Sequence, residues 1–317
     1  MYAGAKGLFY ALSRSARLKQ LASTYGMTPD GFARRFIAGE TVEEVIGSAR
    51  TLQAQGLHLT LDYLGESVHT SDAATAAARE YLHVMDLIVA SGIERNISLK
   101  LTQLGLSVDR ATCVDNLRRI LDPAREHGFF VRIDMENSPW TALTLEVFEL
   151  LWEQQYRNLG VVLQSALYRS ESDVVRLNQL GARVRLVKGA YKESGNVAYQ
   201  KKHEVDAAYV RLMQTLIDHG TMPAIATHDP ALIAQTREYA SARGLTPDRF
   251  EFEMLYGIRR DLQTSLTQDG YRVRIYVPFG REWFPYFMRR LGERPENVGF
   301  VVRALLHERR RAAMHRV

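Results

Sequence analysis

The sequence predicts an α/β fold, a (β/α)8 barrel of the TIM type with extra helices at its N-terminus. From residue 57 onward, short β-branched or apolar runs alternate with longer stretches of helical period, and the order never breaks. Eight such runs fit between residues 57 and 279, each followed by a helix candidate, as a (β/α)8 barrel requires. Glycines stand where helices should stop before the next run, at Gly56, Gly128, Gly220 and Gly270. A doubly wound open sheet is the alternative, but no Gly-rich dinucleotide loop follows the first run.

Residues 1–50 read as separate helices packed on the barrel, and 51–317 as the barrel with its C-terminal helix. The first strand is "LHLTLDYL" (57–64). In the second, "NISLKLTQL" (96–104), period-two alternation sends Ile97, Leu99 and Leu101 to the helices and Ser98 and Lys100 into the barrel. The same test places Arg132 and Asp134 inside on "FFVRIDMEN" (129–137), Gln164 on "LGVVLQSAL" (159–167) and Arg185 on "RVRLVKGAY" (183–191). In that fifth run Lys188 and Gly189 fall where the chain leaves the barrel mouth. A glycine there lets backbone approach a phosphate or cofactor. The sixth run, "MPAIATHD" (222–229), brings Thr227 and His228 to the same rim, with Pro230 placed to open a helix. The seventh is "FEFEMLYGI" (250–258), and the eighth, "YRVRIYVPF" (271–279), turns Arg274 and Tyr276 inward. In the closing helix, "YFMRRLGERPEN" (286–297), Tyr286, Arg289, Arg290, Glu293 and Arg294 share one side. A solvated face carries such a stripe cheaply, so on its own it decides nothing.

Composition is globular, 46% hydrophobic and 24% charged, so disorder is excluded and a core can be built. The lone Cys113 excludes an internal disulfide, and its helical context "DRATCVDNLRRIL" reads as core. No apolar stretch is long enough to span a membrane. The net charge of +5 gathers at the ends: there is no acid before Asp30, and "HERRRAAMHRV" closes the chain. Such ends suit anionic lipid or nucleic acid, the first also has the look of a transit peptide, and solvated helix faces explain both as well.

Barrel interiors are normally filled by branched aliphatics, and an unpaired charge there is very costly. The inward charges must therefore pair with each other or with a ligand. Several converging at strand C-terminal ends favour an active site, which is where barrel enzymes keep their chemistry. No pair of His or carboxylates has ligand spacing at one strand end, so no metal is expected.

The motifs "SLKL", "RIDMEN", "VVLQSALYR", "RLVKGAY", "ATHD", "EMLYGI", "RIYVPFG" and "YFMRRLGERPEN" occur in that order, one per strand or helix. In this the chain resembles the FAD-dependent proline dehydrogenases of the compact, monofunctional bacterial type, over nearly its whole length. The resemblance implies a distorted barrel with FAD at the strand C-termini and the last helix over the flavin. Carried over motif by motif, Gln164 and Arg185 would bond the isoalloxazine near its reactive nitrogen, beside the backbone of Leu163. Lys188, Gly189 and Ala190 would cradle the pyrophosphate and ribityl region, and Thr227 and His228 would contact the rest. Lys100, Leu255, Tyr256, Tyr276, Tyr286, Arg289 and Arg290 would contact substrate, with Asp134 orienting the basic groups and acting with Arg185 in catalysis.

The implied reaction is oxidation of L-proline to 1-pyrroline-5-carboxylate, with electrons passing through FAD to a membrane quinone. Where the large bifunctional relatives carry tryptophan after "KGAY", this chain has Lys192, which puts that edge of the cofactor site in question. There is no room for an aldehyde dehydrogenase module, so the product should leave for a separate pyrroline-5-carboxylate dehydrogenase. The implied location is cytoplasmic, with peripheral contact at the inner face of the cytoplasmic membrane left open and no nucleic-acid partner. Two rival readings remain. One is a Schiff-base aldolase using Lys100 or Lys188 as the amine. The other is a binding module built on the basic ends, which leaves the interior charges unexplained.

Overall fold

The computed structural model describes residues 26–28, 31–65 and 68–293. Eight parallel strands close a barrel in sequence order: β1 (His58–Tyr63), β2 (Asn96–Leu99), β3 (Phe130–Ile133), β4 (Leu159–Gln164), β5 (Arg183–Val187), β6 (Ala224–Ala226), β7 (Glu251–Leu255) and β8 (Arg272–Phe279). β8 returns to β1 with Thr60 opposite Tyr276 and Asp62 opposite Pro278. Most strands stop two to five residues short of the run in the sequence. In a closed parallel barrel the chain must peel away toward the next helix, and the peeled residues, Lys100, Asp134, Lys188 and Thr227 among them, build the mouth.

Alternation does the sorting. The outward positions of β1 to β5, Leu59, Leu61, Ile97, Leu99, Val131, Ile133, Val161, Leu163 and Leu186 among them, are essentially fully buried between barrel and helices. At about 1.5–3 kcal/mol for each large aliphatic side chain, this shell is the main stabilising term. The helices facing it start on caps visible in the sequence: Thr70 accepts from Ala73 N, Asp109 from Thr112 N, and Asp229 from Ala231 N just ahead of Pro230. Gly56, Gly128 and Gly270 adopt positive φ at the expected stops. Gly220 does not. Its φ of −83° is extended, and a Cβ there would lie 2.5 Å from Leu216 O, so crowding rather than handedness demands glycine. Cys113 is buried, its thiol pushed up to about 12 chiefly by burial, as a core residue should be.

Residues 42–50 belong to the helix Val42–Ala54, which runs on into the barrel region and buries Val42, Val45 and Ala49 in the main core. A second apolar cluster joins the turn Phe32–Arg35 to the last helix, Trp283–Glu293, through Phe32, Phe36, Trp283 and Phe287, with Leu255 and Tyr276 packed against it. Phe32 and Phe287 lie 5.2 Å apart, and Trp283 Nε1 donates to Glu40 Oε1 at 2.9 Å. This cluster seats the last helix beside the strand ends that carry Leu255 and Tyr276. Arg294 and both chain termini lie outside the described residues.

The inward charges form two layers. At the N-terminal floor, Arg274 forks onto Glu251 (3.0 and 3.0 Å) and reaches Glu94 at 2.8 Å, while Arg132 donates to Arg183 O at 2.6 Å. Arg132 and Arg274, which alternation alone groups with the other interior charges, belong to this floor. Their partners assign them to a structural layer: Arg274 is held by Glu251 and Glu94, and Arg132 by the backbone carbonyls of Val161 and Arg183.

Candidate active site

The second layer lies at the C-terminal mouth. Lys100 Nζ reaches Asp62 Oδ1 at 3.0 Å, Asp134 Oδ2 at 3.4 Å and Tyr276 OH at 3.5 Å. Tyr276 OH donates to Asp134 Oδ2 at 2.6 Å. Arg185 spreads its guanidinium over three acceptors: Nη1 to Asp134 Oδ1 at 2.8 Å, Nε to Glu253 Oε2 at 2.6 Å and Nη2 to Ser98 Oγ at 3.1 Å, with its carbon 5.3 Å from the Tyr276 ring centre. Six strands thus deliver one network, and the burial cost is met by mutual pairing.

Burial works against the Lys100 charge, yet the Asp62 and Asp134 carboxylates outweigh it and hold the ammonium above the usual lysine range. Burial raises the Asp62 carboxyl, and Lys100 opposes that rise. Burial, then the negative charge of Asp134 and Asp62, pushes the Tyr276 hydroxyl well up, so it stays a neutral donor. Arg185 is raised because Glu253 and Asp134 outweigh its desolvation.

Around this centre the other sequence-predicted residues divide. Gln164 is buried on β4, its Nε2 donating to Glu136 O at 2.7 Å. Its Oε1 faces Gly189, which has φ +107°; a Cβ on Gly189 would come within 2.9 Å of that oxygen and 3.3 Å of Ala166. The backbone of Lys188, Gly189 and Ala190 therefore forms a bare ledge at the end of β5. Lys188 Nζ is drawn to Asp206 (2.6 Å) and Asp229 (3.0 Å). Thr227 Oγ1 accepts from Asp229 N at 3.1 Å, and His228 Nε2 accepts from Leu255 N at 2.9 Å, tying the β6 loop to β7. Leu163 is buried with its side chain in the outer shell.

On the last helix Tyr286 is buried, Arg290 lies 5.1 Å above its ring, and Arg289 and Arg290 are half-buried. Burial and then Glu136 raise the Tyr191 hydroxyl, and the charges of Arg289 and Lys100 oppose that rise, so the last helix and the network both act on that residue. Leu255 joins the cluster beneath this helix, whereas Tyr256 packs against the outer core, with Arg260 6.0 Å from its ring centre. Leu255 ends β7, and Tyr256 begins the turn that follows.

Asp62 and Glu253 are central to the network and absent from the residues the sequence motifs single out. The signal was available: alternation on "LHLTLDYL" turns Thr60 and Asp62 inward, and on "FEFEMLYGI" it does the same for Glu251 and Glu253.

A family model described as proline dehydrogenase matches residues 45–303. The chain belongs to the proline dehydrogenase family. It is 38% identical to proline dehydrogenase 2 of Bacillus subtilis over 95% of this chain and 98% of that one. It is 41% identical to the proline dehydrogenase of Deinococcus radiodurans over 86% and 90%. Among solved structures, the proline utilization A (PutA) of Bdellovibrio bacteriovorus inactivated by N-propargylglycine superposes with a TM-score of 0.77 at 28% identity, covering 82% of this chain. This chain spans about a third of that larger protein, 32% of its length. The family is one of flavoenzymes. Membership in this family sets the Schiff-base aldolase reading aside, and Lys100, held charged by Asp62 and Asp134, is a poor nucleophilic amine. Among the described residues no helix is long and apolar enough to cross a membrane.

Proposed function

We propose that the chain oxidises L-proline to 1-pyrroline-5-carboxylate with FAD as its cofactor and a membrane quinone as the final acceptor, the product passing to a separate dehydrogenase. The observation that supports this most is the single network in which Lys100, Asp134, Arg185 and Tyr276 converge at the strand C-termini beneath the helix carrying Tyr286, Arg289 and Arg290. The ledge at Gly189, where no side chain fits, suits the pyrophosphate and ribityl region, and the amide of Gln164 beside it suits the polar edge of the isoalloxazine. FAD, when bound there, supplies the acceptor for the hydride leaving the proline ring carbon next to nitrogen.

The chain's own residues hold and polarise the substrate. Arg289 and Arg290 grip its carboxylate, since guanidinium forks suit a planar anion, and Lys100 adds a third positive charge. That concentration of cations disfavours the substrate ammonium and promotes loss of its proton, which must precede hydride departure. Leu255, Tyr276 and Tyr286 wall the ring. Arg185, fixed by Asp134 and Glu253, presents its remaining N–H groups toward developing negative charge. Asp134 holds Tyr276 and Arg185 in one geometry. Lys188 with Thr227 and His228 would serve the phosphate and ribose side, which requires Lys188 to exchange an aspartate for phosphate oxygen.

The test is a visible spectrum of the purified protein before and after anaerobic L-proline. The expected result is a flavin spectrum that bleaches; a preparation that neither holds nor can be reconstituted with flavin refutes the reading.

A further inference from the structure

Lys100 is assigned above to the substrate carboxylate, yet its three N–H groups already have three acceptors on the protein. The three contacts are unequal. Asp62 is nearest at 3.0 Å and its side chain is fully shielded from solvent, whereas Asp134 and Tyr276 lie at 3.4 and 3.5 Å and are already joined to each other at 2.6 Å. An incoming carboxylate can therefore displace the two longer contacts without leaving a group stranded, because Asp134 and Tyr276 keep one another and Asp134 keeps Arg185. Displacing Asp62 would strand a carboxylate in the barrel wall, at a cost no exposed pair carries. The Lys100 side chain retains 16% exposure, the opening through which a ligand would approach.

We propose that Asp62 is a positioning residue for substrate: as the partner Lys100 never releases, it keeps the lysine charged and aimed into the mouth while the carboxylate takes the place of Asp134 and Tyr276. The proposal rests on the proline-oxidising reading above.

Several other groups face Lys100. Asp134 and Glu136 follow β3, Tyr276 is on β8, and Tyr191 follows β5 with Arg289 beyond it. Arg185 lies behind Asp134, and Tyr81 on the helix Ser71–Ser91 lies behind Asp62. Burial raises the hydroxyls of Tyr81, Tyr191 and Tyr276, so none of them changes charge between neutrality and the onset of ordinary tyrosine ionisation. Glu136 is held by Thr102 N and Oγ1, and both carboxylates beside β3 remain in an Asp62 variant.

The experiment is calorimetric binding of a five-membered ring carboxylate, with an ether oxygen in place of the amine, to the flavin-loaded enzyme from about pH 6.5 to 9.5. Such a ligand does not titrate in this window, about five units above the ordinary carboxyl range at its upper end. The parent should bind with near-constant affinity. Asp62→Asn should bind more weakly and lose about tenfold per pH unit once Lys100 begins to deprotonate. Adding Lys100→Arg to Asp62→Asn should flatten the profile, because a guanidinium keeps its charge throughout.

A flat profile for Asp62→Asn, a sloped one for the parent, or a slope that survives Lys100→Arg would each overturn the proposal. A parent enzyme that holds flavin but never binds the ring carboxylate sinks the functional reading along with it. A parent that binds while Asp62→Asn stays flat sinks the Asp62 role alone. Should Asp62→Asn fail to fold, competitive acylation of Lys100 in the parent, followed by mass spectrometry, carries the test. Its reactivity should rise only at or above the ordinary lysine value of about 10.4, and a lower midpoint overturns the proposal.

Discussion

Replacing Arg185 with methionine removes the cation that joins β5 to both Asp134 and Glu253. Methionine keeps most of the stem volume, so the charge is the main loss. Glu253 is 2% exposed and its other oxygen has no hydrogen-bond partner, so without Arg185 it is an uncompensated buried anion. Leaving that carboxylate without its cation costs roughly 3–5 kcal/mol, the scale for removing one member of a buried pair.

Thermal unfolding by circular dichroism at pH 7 should show a stability deficit against the parent of about 3–5 kcal/mol, a fall in Tm of roughly 6–20 °C. Any folded variant should also reduce flavin about 10²–10³-fold more slowly. A Tm deficit of only a degree or two would refute the idea that Arg185 is the counter-ion of Glu253. Retained stability with an unchanged rate would remove Arg185 from the site.

Arg289→Met and Arg290→Met should each weaken binding of a proline-like carboxylate by about 2–4 kcal/mol while sparing the flavin spectrum; titration with a ring analogue lacking the carboxylate, which should barely respond, is the control. Gly189→Ala places a Cβ against Gln164 at φ +107°, which costs about 1–3 kcal/mol, and should lower the flavin-to-protein absorbance ratio after purification. On the floor, burial disfavours the Glu94 charge, but the His58 hydrogen bond and Arg274 outweigh it and hold the carboxyl at about 2. A depressed folded pKa contributes stability above about pH 4.3, up to about 3 kcal/mol, which is lost as pH falls toward 2. Acid titration of the unfolding free energy should show that slope in the parent and a shallower one in Glu94→Gln.

The order of elements was determined by the sequence alone, because apolar periodicity is local. Runs such as "LGVVLQ" admit little but a buried strand, and caps such as Thr70, Asp109 and the Asp229–Pro230 pair act within one turn of their helices. Alternation likewise settled which strand residues face inward, since side chains change face at every step; Ser98, Arg132, Gln164, Arg185, Arg274 and Tyr276 are all where parity puts them. Depth along the barrel was decided only by the tertiary structure. Parity is blind to partners, so Arg132 and Arg274 read like Arg185 until the contacts separate them, Arg274 with Glu251 and Glu94 and Arg132 with the carbonyls of Val161 and Arg183. Partner choice is equally non-local: Lys100 meets Asp62 because β2 lies beside β1, and Tyr276 because β8 closes back on β1. The seat of the last helix depends on Phe32, Phe36 and Trp283 packing across more than 200 residues of chain, a loop-closing contact with no counterpart in any single segment.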